Sequence, residues 1–320
     1  MNTPSGTFSS LPQRIVVAIV AIPLICWLAM LGGYFFFAFV LLIATVSLYE
    51  FYRLVEINGA RPLKSLGLLA GVLVVAGSII ERVQIDLQPF LARAGIRLAI
   101  IPQSQFILAV LLKFTLVVLF VELFRRKGSP TINIATTLAG VLIIPLFLSS
   151  LTMLRELFPY GVPIGKFFPV ELGEEIQLRR IDQWGGYTVI ALLASIWLCD
   201  TAAYFGGLTF GKHRLMEHVS PKKSWEGFWF GFAAAIITML VAQQTVLEYL
   251  SVQHAAMIGL FVGTFGQLGD LVQSRFKREA HVKDTSKLIP GHGGAYDRFD
   301  SLVFVSPIVY LYIEYIVFAR

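Results

Sequence analysis

Nine times along this chain a run of roughly 17 to 25 residues passes with hardly a charge, the length at which an α-helix crosses a hydrocarbon core of about 30 Å. The runs fall at 15–31, 34–55, 65–80, 105–124, 134–154, 187–207, 228–247, 254–273 and 301–319, the third being short. Backbone groups in lipid must be satisfied within the segment, so spans of this kind fold as helices. Composition agrees: 56% of residues are apolar and 14% charged, with a mean hydropathy of +0.73, well beyond a soluble domain. The fold expected is all-α, a polytopic integral membrane protein with about nine transmembrane helices. It would comprise a polar tail at 1–14, an amino-terminal transmembrane region with external loops at 15–186 and a carboxyl-terminal transmembrane region at 187–320. Residues 82–104 suit an interfacial segment as well as a loop.

Lys and Arg set the orientation. With the amino terminus in the cytoplasm, 17 of the 26 cations fall on the inner side and eight on the outer, Lys113 lying within a span. Nine spans then leave the carboxyl terminus outside. The segment 155–186 is mixed in sign and reads as an external loop without evident chemistry. Its cations Arg155, Lys166, Arg179 and Arg180 are loop charges on this reading. The net charge of +6 follows from topology and anionic lipid and does not indicate nucleic acid. The polar first 14 residues lack the small-residue cleavage site of a secretory signal, so the first span is expected to stay as an anchor. Cys26 and Cys199 both lie in apolar spans and suit packing better than a disulfide or metal pair.

Three features are not explained by topology. Asp200, in Trp197-Leu198-Cys199-Asp200-Thr201-Ala202-Ala203-Tyr204, is a carboxylate at membrane depth, where such groups face a partner or a wet cavity. Ser220-Pro221-Lys222-Lys223-Ser224-Trp225-Glu226-Gly227 has the form of a fixed turn entering a helix. Ser224 would be the N-cap and Glu226 would sit in the positive first turn, aiming cations and backbone N–H groups at a phosphate.

The third feature is Ser274 to Asp300, where six cations and four carboxyl groups share 27 positions, preceded by Gly266-Gln267-Leu268-Gly269-Asp270. A helix would put Asp270 and Ser274 on one face, and likewise Asp297 and Asp300. Carboxylates from two helices can thus meet at the inner boundary. Hard oxygen donors without a Cys or His cluster suit Mg²⁺, although the same acids could simply neutralise Arg275, Lys277, Arg278 and Arg298. Between the helices, Pro290-Gly291-His292-Gly293-Gly294 supplies glycines whose backbone can approach a ligand closely. His292 either donates to a phosphate or braces the turn.

The string from Ser274 to Asp300 resembles the signature of the CDP-diacylglycerol synthase (phosphatidate cytidylyltransferase) family. Ser220 to Gly227, Asp200 to Tyr204 and Gly269-Asp270-Leu271 are similar to further family elements. The likeness covers about residues 190–318; Ala295 is smaller than the aliphatic residue usual after the two glycines, and the 155–186 loop is longer than typical. The resemblance implies conversion of CTP and phosphatidate to CDP-diacylglycerol and pyrophosphate, with Asp270 and Asp297 as Mg²⁺ ligands and Asp300 a further ligand or neighbour. A second metal ion is left open. On this reading Lys222 and Lys223 would hold phosphate from one side, with Ser224 capping the turn of that substrate-binding segment. Lys277, Arg278, Lys283 and Arg298 would hold it from the other, with Asp284 orienting Lys283 or a ribose hydroxyl. Ser274, Asp200, Gly293 and Gly294 complete the expected substrate site. The expected setting is a bacterial inner membrane, with the site on its cytoplasmic side and a homodimer left open. A CTP-dependent kinase of a polyprenol-type lipid and a membrane transporter stay as alternatives; CDP-alcohol phosphotransferases do not fit, because their Asp-Gly-x-x-Ala-Arg core is absent.

Overall fold

The computed structural model describes residues 10–96, 99–161, 174–289 and 293–318. The chain is nearly all-α. Among the described residues, seven segments are long and apolar enough to cross a membrane: Gly33–Ile57, Gln103–Phe124, Pro130–Leu157, Asp182–Phe210, Trp225–Thr245, Val252–Glu279 and Tyr296–Val317. Of the other two expected spans, one is too short by itself and the other lies in the 22-residue first helix, Ser10–Leu31. Lys64–Gly77 is followed by Ile80–Arg93 at an angle of 68°. The bend sits at Ile79, whose φ of −122° and ψ of 12° leave the helical region. The described apolar part of the first helix is Val17–Leu31.

The chain divides into two compact units. One comprises residues 37–153, built from most of α2 (Gly33–Ile57), α3 (Lys64–Gly77), α4 (Ile80–Arg93), α5 (Gln103–Phe124), α6 (Pro130–Ile143) and the first half of α7 (Pro145–Gly161). Its polar side chains tie loops to helices. Tyr52 Oη donates to the Thr137 carbonyl at 2.8 Å. Asn133 accepts from the Arg61 amide at 2.8 Å and donates to the buried Glu122 carboxylate at 2.6 Å. Gln84 pairs reciprocally with the Ile101 backbone, at 3.0 and 2.7 Å. So α4, where the sequence left loop or interface open, is a helix pinned to the strand of chain before α5.

The other unit joins residues 1–36 to 154–320. It holds α1 (Ser10–Leu31), α8 (Glu174–Phe210), α9 (Trp225–Thr245), α10 (Val252–Phe261), α11 (Gln267–Glu279) and α12 (Tyr296–Tyr312). The exception to an all-α fold is a short antiparallel hairpin, β1 (Arg214–Met216) with β2 (Ser220–Ser224). Small residues let α8 and α9 approach closely. A Cβ on Gly227 would lie 2.6 Å from the Ala203 carbonyl oxygen, and one on Gly231 would lie 2.8 Å from that of Cys199, the usual device of tightly packed membrane helices. Between α10 and α11 runs one π-helical turn, Val262–Gly266. Gln267, buried beneath it, donates to the Gly263 carbonyl at 2.7 Å and to the Phe228 carbonyl of α9 at 3.1 Å.

The expected external loop over 155–186 is helical at both described ends, and Arg155 is no loop cation. Its side chain is fully buried. Nε donates to the Ala29 carbonyl at 2.6 Å, one terminal nitrogen to that of Met30 at 3.0 Å, and the other to Asp182 Oδ1 at 3.0 Å. The two carbonyls belong to the last turn of α1, which has no intrahelical donors. The guanidinium therefore caps α1 and ties it to the start of the α8 span.

Candidate active site

Within this second unit lies a cavity of about 450 Å³. Its charged wall is assembled from Asp200 of α8, Asp270 and Lys277 of α11, Asp284 of the following loop, and Asp297, Arg298 and Asp300 of α12. Seven residues singled out in three separate stretches of sequence thus face one space. Its opposite wall is hydrocarbon, from α1 and from Leu193, Ile196 and Trp197 of α8.

Asp297 is the most heavily bonded group of the site. Its Oδ1 accepts from Lys277 Nζ at 2.9 Å and Gln273 Nε2 at 3.2 Å. Its Oδ2 accepts from the Thr285 amide at 2.8 Å, the Thr285 hydroxyl at 2.9 Å and the Gly294 amide at 2.9 Å. One carboxylate at the start of α12 thereby gathers α11, the 283–287 loop and the glycine turn. Gly293 has φ +84°, and a Cβ there would lie 2.8 Å from Asp297 Oδ2, so glycine is required on both grounds. Nothing in the sequence marks Gln273 and Thr285 as partners of Asp297, because they are a neutral amide and a hydroxyl in an otherwise highly charged stretch.

Asp270 is held differently. Lys223 Nζ lies 2.5 Å from its Oδ2, and the Ser274 hydroxyl donates to Oδ1 at 3.3 Å. Asp200 and Asp300 lie within electrostatic reach of Asp270 and of each other, and Asp300 Oδ1 accepts from the Ser301 amide at 2.6 Å. Three carboxylates from three helices therefore share the cavity with Lys277 and Arg298. Carboxylates so close repel unless cations or a metal ion compensate.

Lys223 reaches Asp270 because of the hairpin. Consecutive strand residues point to opposite sides, and Lys222 is exposed where Lys223 is half-buried and Ser224 buried. The two lysines expected to act together thus part company, Lys223 behind Asp270 and Lys222 away from the cavity. Ser224 is the N-cap of α9, its Oγ accepting from the Gly227 amide at 3.2 Å. Glu226, in the first turn of α9, accepts from the Lys212 and His213 amides at 3.1 and 3.2 Å, which closes the hairpin base.

Two predicted cations stand aside. Arg278 donates to the Val219 and Val282 carbonyls, both at 3.3 Å, and Lys283 is exposed and does not line the cavity. His292 lies outside the described residues, as do Pro290 and Gly291. Among the described residues no three His, Cys, Asp or Glu side chains are already gathered around a point that would hold a metal ion. In donor chemistry the site still fits Mg²⁺, which takes one or two carboxylates and keeps water for the rest, the candidate ligands among the described lining residues being carboxylates.

Fold and site together define a polytopic membrane protein with a half-charged, half-hydrocarbon cavity at the meeting point of four helices. Residues 12–316 match the model of the cytidylyltransferase family, to which this chain belongs. Relatives carry the name phosphatidate cytidylyltransferase. The Bacillus subtilis (strain 168) protein is 41% identical over 135 residues, 42% of this chain and 50% of that one. A Staphylococcus epidermidis protein is 44% identical over 123 residues, 38% and 47% respectively. The Synechocystis sp. protein is 30% identical over 308 residues, 94% of this chain and 96% of that one. The first two alignments span about half the length of those relatives.

Proposed function

We propose that this protein is a phosphatidate cytidylyltransferase. A phosphate oxygen of phosphatidate attacks the α-phosphorus of CTP, the new O–P bond forms as the bond to the β-phosphate breaks, and pyrophosphate leaves with the electron pair. The observation that carries this is the cavity itself, in which phosphate-type cations and metal-type carboxylates are continuous with an apolar wall. The lipid phosphate is already ionised near neutral pH, so the site has no need of a general base. Its task is to bring two polyanions together and stabilise developing charge.

Lys277 and Arg298 line the cavity and are the best-placed groups to hold phosphate oxygens. Lys223 is released to the same role if Asp270 takes up a cation. Asp297 fixes the ends of the turn through Thr285 and Gly294. Mg²⁺ held by Asp270 and Asp300, with Asp297 exchanging some of its donors, would supply Lewis-acid stabilisation of the transferring and leaving phosphates; a second ion remains compatible with the number of carboxylates. Nine spans, an amino terminus in the cytoplasm and a site at the inner face of a bacterial inner membrane complete the proposal. They would let CTP arrive from water and the lipid from the bilayer.

The test is pyrophosphate release by the purified protein with CTP and Mg²⁺, with and without phosphatidate. Release that depends on phosphatidate is expected. Formation of CDP and a new lipid phosphate from a lipid alcohol would instead identify a kinase.

A further inference from the structure

The charged wall of the cavity suits the head group; the hydrocarbon wall suits the rest of an amphiphile. On the α1 side it consists of Val17, Ala18, Ala21, Ile22 and Ile25. Their spacings of one, three, one and three residues trace one stripe along a helix. Ile19 and Val20, lying between them in sequence, do not line the cavity and are the most exposed of this stretch, at 66% and 61%. Helix α1 is apolar on every side, so hydrophobicity alone chooses no face; the cavity does. The wall is also fixed in place, because Arg155 holds the carbonyls of Ala29 and Met30 one turn beyond Ile25.

Ile196 and Trp197 of α8, also lining the cavity, stand one turn before Asp200, so the change from hydrocarbon to charge occurs within a single helical turn. A ligand that fills both halves is an amphiphile with an anionic head. No side chain of the α1 stripe offers a hydrogen bond, which suits an alkyl chain and penalises anything polar. Two of its five members are alanines, the shortest side chains in a wall otherwise built of Val and Ile.

We propose that the α1 stripe is the acyl-chain subsite, and that Ala18 and Ala21 set the width open to the chain nearest the phosphate. The inference rests on the head-group reading given above for the identity of the amphiphile.

The experiment compares kcat/KM for dioleoyl and dihexanoyl phosphatidate in Ala18→Leu, Ala21→Leu and Val20→Leu. Filling the wall should lower the long-chain to short-chain ratio by about tenfold in the two alanine variants, the usual scale of overpacking. Retained turnover of the short-chain lipid shows that these variants fold. Val20→Leu adds bulk to the same helix on the outward side and should leave the ratio unchanged. A ratio that stays put in both alanine variants, or that Val20→Leu moves equally, overturns the subsite.

A second arm needs no turnover and no variant. A phosphatidate carrying a diazirine on its acyl chain should label wild-type Ala18, Ala21 or Ile25, and unlabelled phosphatidate should compete. Adducts confined to Ile19 and Val20 would mean bulk-lipid contact only and would reject the subsite. If wild type released no pyrophosphate with any phosphatidate, the proposed reaction would fail, yet competed labelling of the stripe would still uphold the acyl subsite.

Discussion

At the scale of single residues, Asp297 and Asp270 are both candidate ligands and are held in opposite ways. Five donors converge on Asp297, from residues 24, 20, 12 and 3 positions away in sequence, whereas Asp270 has one lysine and one serine. In Asp297→Asn, Lys277 would lose a buried partner, a change that costs about 3–5 kcal/mol. We expect a lower melting temperature in detergent together with a loss of turnover of about a hundredfold or more. Asp270→Asn should leave the melting temperature close to wild type and raise the Mg²⁺ concentration needed for half-maximal rate. Near-normal turnover of Asp297→Asn, or an unchanged Mg²⁺ requirement of Asp270→Asn, would falsify that residue's place in the site. The two aspartates were visible in the sequence because charge is rare in this chain. Their different bonding was not, since it depends on Gln273, Thr285 and Gly294 arriving from elsewhere in the fold.

At the scale of elements, the Ser-Pro-Lys-Lys segment was legible because capping is local. Ser224 followed by an acidic residue in the first turn is a helix start in sequence and in structure. The hairpin was not legible, and it is what separates Lys222 from Lys223. Helix α1 was legible as a helix but not as a cavity wall, because a segment apolar all round carries no phase. Arg155 looked like a loop cation, since its partners Ala29 and Met30 lie more than 120 residues away and offer only carbonyls. The cap makes a prediction. Ser224→Ala should cost about 1 kcal/mol of stability, and Ser224→Asp, another good N-cap, should restore it. If Ser224 serves only α9, turnover recovers with Asp; if its hydroxyl also meets phosphate, the added negative charge lowers turnover while stability returns.

At the scale of the whole molecule, the apolar runs proved a reliable guide to helices and a weaker one to spans. Among the described residues seven segments reach the length and hydropathy for crossing. Lys64–Gly77 needs its bent partner to do so. Run length measures hydrophobicity along the chain, and a bend such as that at Ile79 depends on a backbone angle it does not register. Topology is therefore best tested directly. With nine crossings and the amino terminus inside, a cysteine placed after Arg320 should react with a membrane-impermeant maleimide in intact cells, whereas one placed in the hairpin at His218 should not. Chelation should abolish turnover, and Mg²⁺ should restore it without refolding.

The π turn at Val262–Gly266 bears on how such a chain can change in length. Each of its hydrogen bonds spans one residue more than an α-helical bond, so the turn already contains the equivalent of an insertion. Removing one residue here, Thr264 for instance, would return the turn to α-helical winding and leave Asp270 facing the same way. The same deletion a turn later, at Leu268, would swing Asp270 by about 100° around the helix and carry it out of the cavity. Of all points along this span, the π turn is where a one-residue change in length does least to the site.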